Sequence, residues 1–354
     1  MIEVVNLLIH NKGKTGHPFE ASNRMTLLIA SPASDCDLGG ALKGKSRMGK
    51  TVFAPWMIVA ALLLTVNGFA QDEKAGGQGQ AVITILAKHN EVAPTVPPQD
   101  VSVKVNGKDS ALTGWQPFKG ANDSLELVVL LDSGARNIGR QLDEIAHFIQ
   151  NLGPDTKVAV GYMQNGRTVM AGPLSTDHKQ ASSELHLPAG PTTNPYFSIS
   201  DLAQNWPSRD RRARREVVLL SDGVDPENRR FDPEDPYMEA AVKDSVKAGL
   251  VVFSIYWHTG SGGEDSTTDG GQSLLSELTQ ATGGISYWSG SGNPVSFQPY
   301  FEDVMKRLDN QYGIEFKARL DHKPAVETLK LKVEGIGLDV TAPQQVYVDH
   351  PGGE

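Results

Sequence analysis

The sequence predicts an α/β protein: a doubly wound, mostly parallel sheet over residues 121–311, with small antiparallel β flanks at both ends. Three observations predict it. Residues 126–131 (ELVVLL), 216–221 (EVVLLS) and 250–257 (LVVFSIYW) are near-continuous apolar runs, the composition of strands covered on both faces. Segments with apolar residues at helical spacing separate them. Outside 121–311 the helical pattern stops and short strand-like stretches replace it. With 354 residues, 39% hydrophobic and 21% charged, the chain is long enough for about two domains and too apolar to be mostly disordered.

The amino end is read first. Residues 52–66, VFAPWMIVAALLLTV, follow Lys43, Lys45, Arg47 and Lys50 and precede Gly68-Phe69-Ala70. A basic start, a short apolar core and a small-x-small end make 48–70 a signal peptide cleaved after Ala70. The alternative is an uncleaved anchor, for which the run is short of a ~20-residue span. Met48 reads as the true start and 1–47 as a mis-annotated, unstructured upstream segment. The expected mature chain, 71–354, carries 26 basic and 38 acidic residues, a net charge of -12, and lacks Cys36, the single cysteine. No disulfide scaffold, cysteine zinc site or thiol chemistry is then available, and nucleic acid is not an expected partner. Residues 44–51, GKSRMGKT, fit the phosphate-loop pattern G-x4-G-K-[ST]. No buried strand precedes them and the next helix is apolar all round, so the context such a loop requires is missing.

The elements follow in order. Residues 71–80 are a polar, Gly-rich linker. Residues 81–120 hold short strands, AVITILAK and VSVKV, with a turn at Asn106-Gly107, read as a β appendage. After the strand at 126–131, residues 140–152 place Leu142, Ile145, Ile149 and Leu152 on one helical face. Strands 157–163 and 167–174 flank Asn165-Gly166, a hairpin that supplies an antiparallel edge strand. Short helices are expected near 177–186 and at 198–206, the latter capped by Ser198 or Ser200. Past the strand at 216–221 come a helix at 236–249 closed by Gly249, the strand at 250–257, a loop over 258–271, a helix at 273–283, a short strand at 284–288 and a last helix at 299–311. Residues 312–354 return to strands and read as a second appendage.

In such a sheet, ligands bind at the carboxyl ends of the strands where strand order reverses. Two buried runs end in a carboxylate there: Asp132-Ser133-Gly134 and Asp222-Gly223. If their strands are neighbours, the acids share a crevice, and two close carboxylates stay charged together only when a cation joins them. Oxygen ligands of this kind suit Mg2+ or Ca2+. An Asp-Gly after a strand also serves as an ordinary turn or helix cap.

The stretches LVVLLDSGAR, VAVGYMQNGRTVMAGPLSTD, NPYFSISDL and EVVLLSDGVDP resemble those of von Willebrand factor type A domains, most closely the VWFA-related acidobacterial domain proteins. The resemblance covers about 80–350. It implies a Rossmann-like sheet with a metal-ion-dependent adhesion site built from D-x-S-x-S, a loop Thr and a later Asp. Asp132 matches the first Asp and Asp222 the last; Thr193, or else Thr192, is placed for the loop Thr. The two Ser positions hold Gly134 and Arg136. Two hydroxyl ligands are lost and a cation enters, so a degenerate site with weak or no binding of Mg2+ or Ca2+ is expected, Arg136 standing between the two acids in place of the metal. Any metal would use Asp132, Thr193 and Asp222.

Other features read as structural. The run Arg209, Arg211, Arg212, Arg214 and Arg215 is expected to be a solvated helix-to-strand turn, a site for phosphate or an acidic partner being the alternative, and the loop holding Asp225, Glu227, Asp232, Glu234 and Asp235 a solvated loop without EF-hand spacing. Met163, Trp206 and Trp257 are expected in the core. No H-E-x-x-H or G-x-S-x-G occurs. The sequence therefore predicts an exported, periplasmic or extracellular, non-enzymatic module. It would bind a protein or cell-envelope component through Asp132, Ser133, Arg136, Thr193 and Asp222, with no stable membrane insertion after cleavage. The rival readings are a metal-assisted hydrolase using Asp132 and Asp222, and a nucleotide binder using residues 44–51.

Overall fold

A computed structural model describes residues 76–88, 94–120, 123–135, 137–191, 194–226, 235–258, 266–290, 292–320 and 323–350. The expectations for residues 1–70, including the signal peptide and the phosphate-loop match, lie outside them. No described helix is long and apolar enough to cross a membrane.

The fold is α/β. Its central sheet has six strands in the order β6-β5-β4-β7-β8-β9: Arg167–Met170, Lys157–Gln164, Leu125–Leu131, Arg214–Ser221, Leu250–Tyr256 and Ser286–Tyr287. All of these pairs are parallel except β5–β6, the hairpin turned by Asn165 and Gly166 with both φ positive. Every residue of β4 and β8 is buried, because helices cover both faces. One face packs on α1 (Leu142–Gln150), α2 (His178–Ser183) and α6 (Gln298–Leu308), through Ile145, Phe148, Phe301 and Val304. The other packs on α3 (Pro195–Gln204), α4 (Pro236–Ala248) and α5 (Ser266–Thr282), through Tyr196, Ile199, Ala241 and Leu275. Met163, Trp206 and Trp257 are buried among these groups.

The flanks depart from expectation. They are not two appendages but one antiparallel sheet that closes on itself. Strands β10 (Gln311–Arg319), β3 (Lys108–Pro117), β2 (Val101–Val105), β11 (Ala325–Val333), β13 (Gln345–Asp349) and β1 (Gly76–Ala87) follow in that order, and β1 pairs back onto β10. A further strand, β12 (Leu338–Thr341), joins the other side of β1. The pairing of β1 with β10 runs from Gly76↔Arg319 to Thr84↔Gln311, so residues 76–80 are strand rather than linker. Gly77 and Gly79 fit there because a Cβ would meet Val348 and Phe316. The interior is apolar, with Ile83, Ile85, Val103, Ile314, Phe316 and Val348 buried.

The barrel sits at the amino ends of the parallel strands. Of the basic run, Arg209, Arg211 and Arg212 are exposed, as expected of a solvated turn, whereas Arg214 is buried in the seam. Arg214, 5% exposed, donates to the Leu308 carbonyl at 2.7 Å, to Gln311 and to Asp123. Beside it Glu216 is fully buried with neither carboxylate oxygen hydrogen-bonded. Burial pushes its carboxyl up to about 7, against the nearby Arg214 charge and the Gln311 amide, which approaches without reaching hydrogen-bond geometry. Glu126 is also buried there, and accepts from Trp206 Nε1 at 2.9 Å and Lys157 Nζ at 3.3 Å.

Candidate functional site

The opposite end of the sheet carries the predicted acids. The aliphatic residues of β4 and β7 pair in register up to Leu131↔Leu220, so both strands deliver their next residues to the same height. Asp132 extends the ladder by one bond, from its N–H to the Leu220 carbonyl at 2.9 Å, and a turn closes behind it as Ala135 N–H reaches the Asp132 carbonyl. The Asp132 carboxylate is fully buried. One oxygen accepts from Gly134 N–H at 3.0 Å and from the Ser133 hydroxyl at 3.3 Å, and the other from the Ser221 hydroxyl at 2.6 Å. Ser221 in turn accepts from Gly223 N–H at 2.9 Å, which ties the ends of both strands into one network.

Asp222 stands beside this network. One of its oxygens accepts from Val224 N–H at 3.0 Å, and the other lies 3.5 Å from His258 Nδ1. A Cβ built on Gly134 would lie 3.5 Å from Asp222 Oδ2 and 3.6 Å from Asp132 Oδ2, so this glycine occupies the space between the two acids. Burial, and then the charge of Asp222, push the Asp132 carboxyl up to about 7, against the hydrogen bonds from Ser221, Gly134 and Ser133.

The structure thus brings Asp132, Ser133 and Asp222 together. Arg136 and Thr193 lie outside the described residues, and so does Thr192. Two neighbours escaped the sequence reading. His258 follows β8, the strand next to β7, and Asn293 grips its backbone on both sides, at 2.7 Å from N–H and 2.6 Å from the carbonyl. Strand-end position was the signal that could have found it: β8 stops level with β4 and β7. Ser221 was passed over as the last residue of a strand.

The loop acids Asp225 and Asp235 are not solvated, at 2% and 1% exposed. Asn194 donates to Asp225 at 2.6 Å while its own oxygen accepts from the first N–H groups of α3, with Pro195 in the first turn. Asp235 caps α4 through Tyr237 N–H. Tyr196 is fully buried and donates to the Gly223 carbonyl at 2.6 Å. Burial raises its phenol well above the usual range, and the charges of Asp222, Asp235, Asp132 and Asp225 push the same way.

Among the described residues no group of three or more His, Cys, Asp or Glu side chains is arranged to hold a metal. Where a hydroxyl ligand would stand between Asp132 and Asp222, Gly134 offers none, and the bond from Ser221 satisfies Asp132 from within the protein.

No protein-family model and no curated protein matches the chain. Solved structures with similar folds include an aerotolerance-related membrane protein from Bacteroides fragilis, 14% identical, covering 52% of this chain and 98% of its own with a TM-score of 0.38. BatB from Bacteroides thetaiotaomicron is 12% identical over 52% of this chain and 97% of its own, with a TM-score of 0.39. The vWF domain of the type V pili tip protein Mfa5 from Porphyromonas gingivalis is 10% identical over 55% of this chain and 95% of its own, with a TM-score of 0.37.

Proposed function

We propose that the chain is an exported binding module of the von Willebrand factor type A kind, whose crest engages a protein or cell-envelope component without a resident metal. The observation that supports this best is the meeting of Asp132 and Asp222 at the ends of adjacent parallel strands, with Gly134 in the space between them. A Rossmann-like, doubly wound reading of the central sheet fits its parallel strands and two helical layers. On this reading Asp132, Ser133, Thr193 and Asp222 shape the crevice, and Arg136 supplies the charge that a metal would otherwise bring, meeting an acidic group of the partner directly. His258, beside Asp222, belongs to the same surface.

Calorimetry on residues 71–354 with MgCl2 and MnCl2 tests the absence of a metal. The expected result is no binding tighter than about 100 μM, given only two carboxylates; micromolar binding would overturn the degenerate site. Gly134→Ser places a hydroxyl within reach of both acids and is expected to tighten Mn2+ binding at least about tenfold. An esterase and phosphatase panel is expected to show no turnover, and turnover abolished by Asp222→Asn would establish the hydrolase instead. Sequencing the native amino terminus checks export: a first residue of Gln71 is expected.

A further inference from the structure

At the base of the sheet, far from the crest, a cleft of about 950 Å3 opens between the starts of β7 and β8, the end of α4 and the barrel wall of β1, β3 and β10. That volume is at the upper end of ligand pockets, which run to ~1,000 Å3. Its walls reverse the charge of the chain. The protein carries a formal net charge of -9, yet Arg211, Arg212, Arg215 and Lys247 line this one space together with the buried Arg214.

Arg214 is committed to Asp123 and to the seam, but the others have little internal employment. Arg211 and Lys247 are exposed and make no ion pair among the described residues, although Lys247 Nζ lies 5.8 Å from the centre of the Tyr347 ring. Arg212 only approaches Asp210, at 4.0 Å, with its side chain 95% exposed. Arg215 reaches two carbonyls at 3.4 Å and lies over the Trp206 ring. The carboxylates in the lining are Asp210 and Glu315. A surface this cationic, set in a concave wall, draws anions and holds them in a lower dielectric than open solvent does.

The remaining polar lining narrows the ligand class. Gln80, Gln116 and Gln345 line the same space, and their side chains make no hydrogen bond among the described residues. A primary amide sets a donor beside an acceptor, the complement of a peptide group. A bare phosphate or sulfate needs donors alone. We propose that this cleft binds an acidic peptide segment of a partner protein, with its carboxylates on Arg211, Arg212 and Lys247 and its backbone along the three glutamines. Guanidinium groups suit this task because their fork pairs with a carboxylate through two bonds.

The probe is a short fluorescein-labelled peptide of alternating Glu and Ala, titrated with residues 71–354 and followed by fluorescence anisotropy. Saturable binding is expected, weakened at least about tenfold by Arg211→Glu/Arg212→Glu and abolished at high salt. Lys247→Glu, in the last turn of α4, weakens it independently. Both variants change exposed side chains, and circular dichroism verifies their fold. Asp222→Asn leaves the affinity unchanged, so failure of this site is distinguishable from failure of the crest. No saturable binding, or binding indifferent to both variants, would overturn the proposal. So would variant-sensitive binding of a heparin fragment with none of the peptide, which would make the cleft a glycan site.

Discussion

Glu216 and Asp132 are buried carboxyls at opposite ends of one sheet, both pushed up to about 7, and they differ in their partners. Asp132 accepts hydrogen bonds from Ser221, Gly134 and Ser133, whereas neither Glu216 oxygen has a partner in hydrogen-bond geometry. A carboxyl whose folded value exceeds its unfolded one, near 4.5 for Glu216, stabilises the fold fully only below the unfolded value, and that support is lost as the pH rises through 7. The gap corresponds to about 3 kcal/mol. Glu216→Gln is therefore expected to raise stability by up to about 3 kcal/mol at pH 8 and to change little at pH 4; urea unfolding at both values checks this. An equal effect at both would mean that packing, not ionisation, governs the site. Asp132 and Asp222 were legible in the sequence because each ends an aliphatic run. Glu216 was not, since a strand that begins with Glu looks like any solvent-exposed strand entry.

At the scale of elements, periodicity located the helices and strands of the sheet well where burial is two-sided or amphipathic. It erred at α5, which begins at Ser266, whereas residues 258–271 read as a loop. The sequence STTDGG has poor helix propensity, and tertiary contact overrides it. Gly271 packs on the crest: a Cβ there would lie 2.1 Å from the Asp222 carbonyl oxygen, and one on Gly223, whose φ is +68°, would lie 2.4 Å from the Gly271 carbonyl oxygen. Both glycines let α5 approach the loop that carries Asp222. Gly271→Ala is expected to cost about 1–3 kcal/mol through overpacking, while Gly292→Ala, with nothing within 4 Å of its Cβ, stays within ~0.5 kcal/mol. Thermal unfolding compares them, and equal melting temperatures would show that α5 can yield without cost.

The whole molecule is where the sequence said least. Alternation identifies a strand and the face it buries, but it carries no record of which distant strand it will pair with. Residues 81–120 and 312–354 were therefore legible as β and illegible as one barrel. Their closure predicts that a chain ending at Asn310, which lacks β10 to β13, loses more than its last segment. β1 forfeits its partners, and Ile83, Ile85, Val103 and Val105 lose the interior they fill. Such a chain is expected to sediment as aggregate, or to be soluble only with residues 76–117 open to protease. A soluble truncation protected over 76–117 would contradict this.

The pairing of β1 with β10 also orders events in time. A polypeptide that emerges amino end first makes β1 early and must then wait for roughly 230 further residues, on the order of tens of seconds at ~5–20 residues per second. During that interval the earliest strand is an orphan with a sticky edge, and the α/β half can complete itself before the barrel does. The barrel becomes whole only when residues 311–349 arrive, so a premature stop anywhere among them leaves the beginning of the chain unfinished as well.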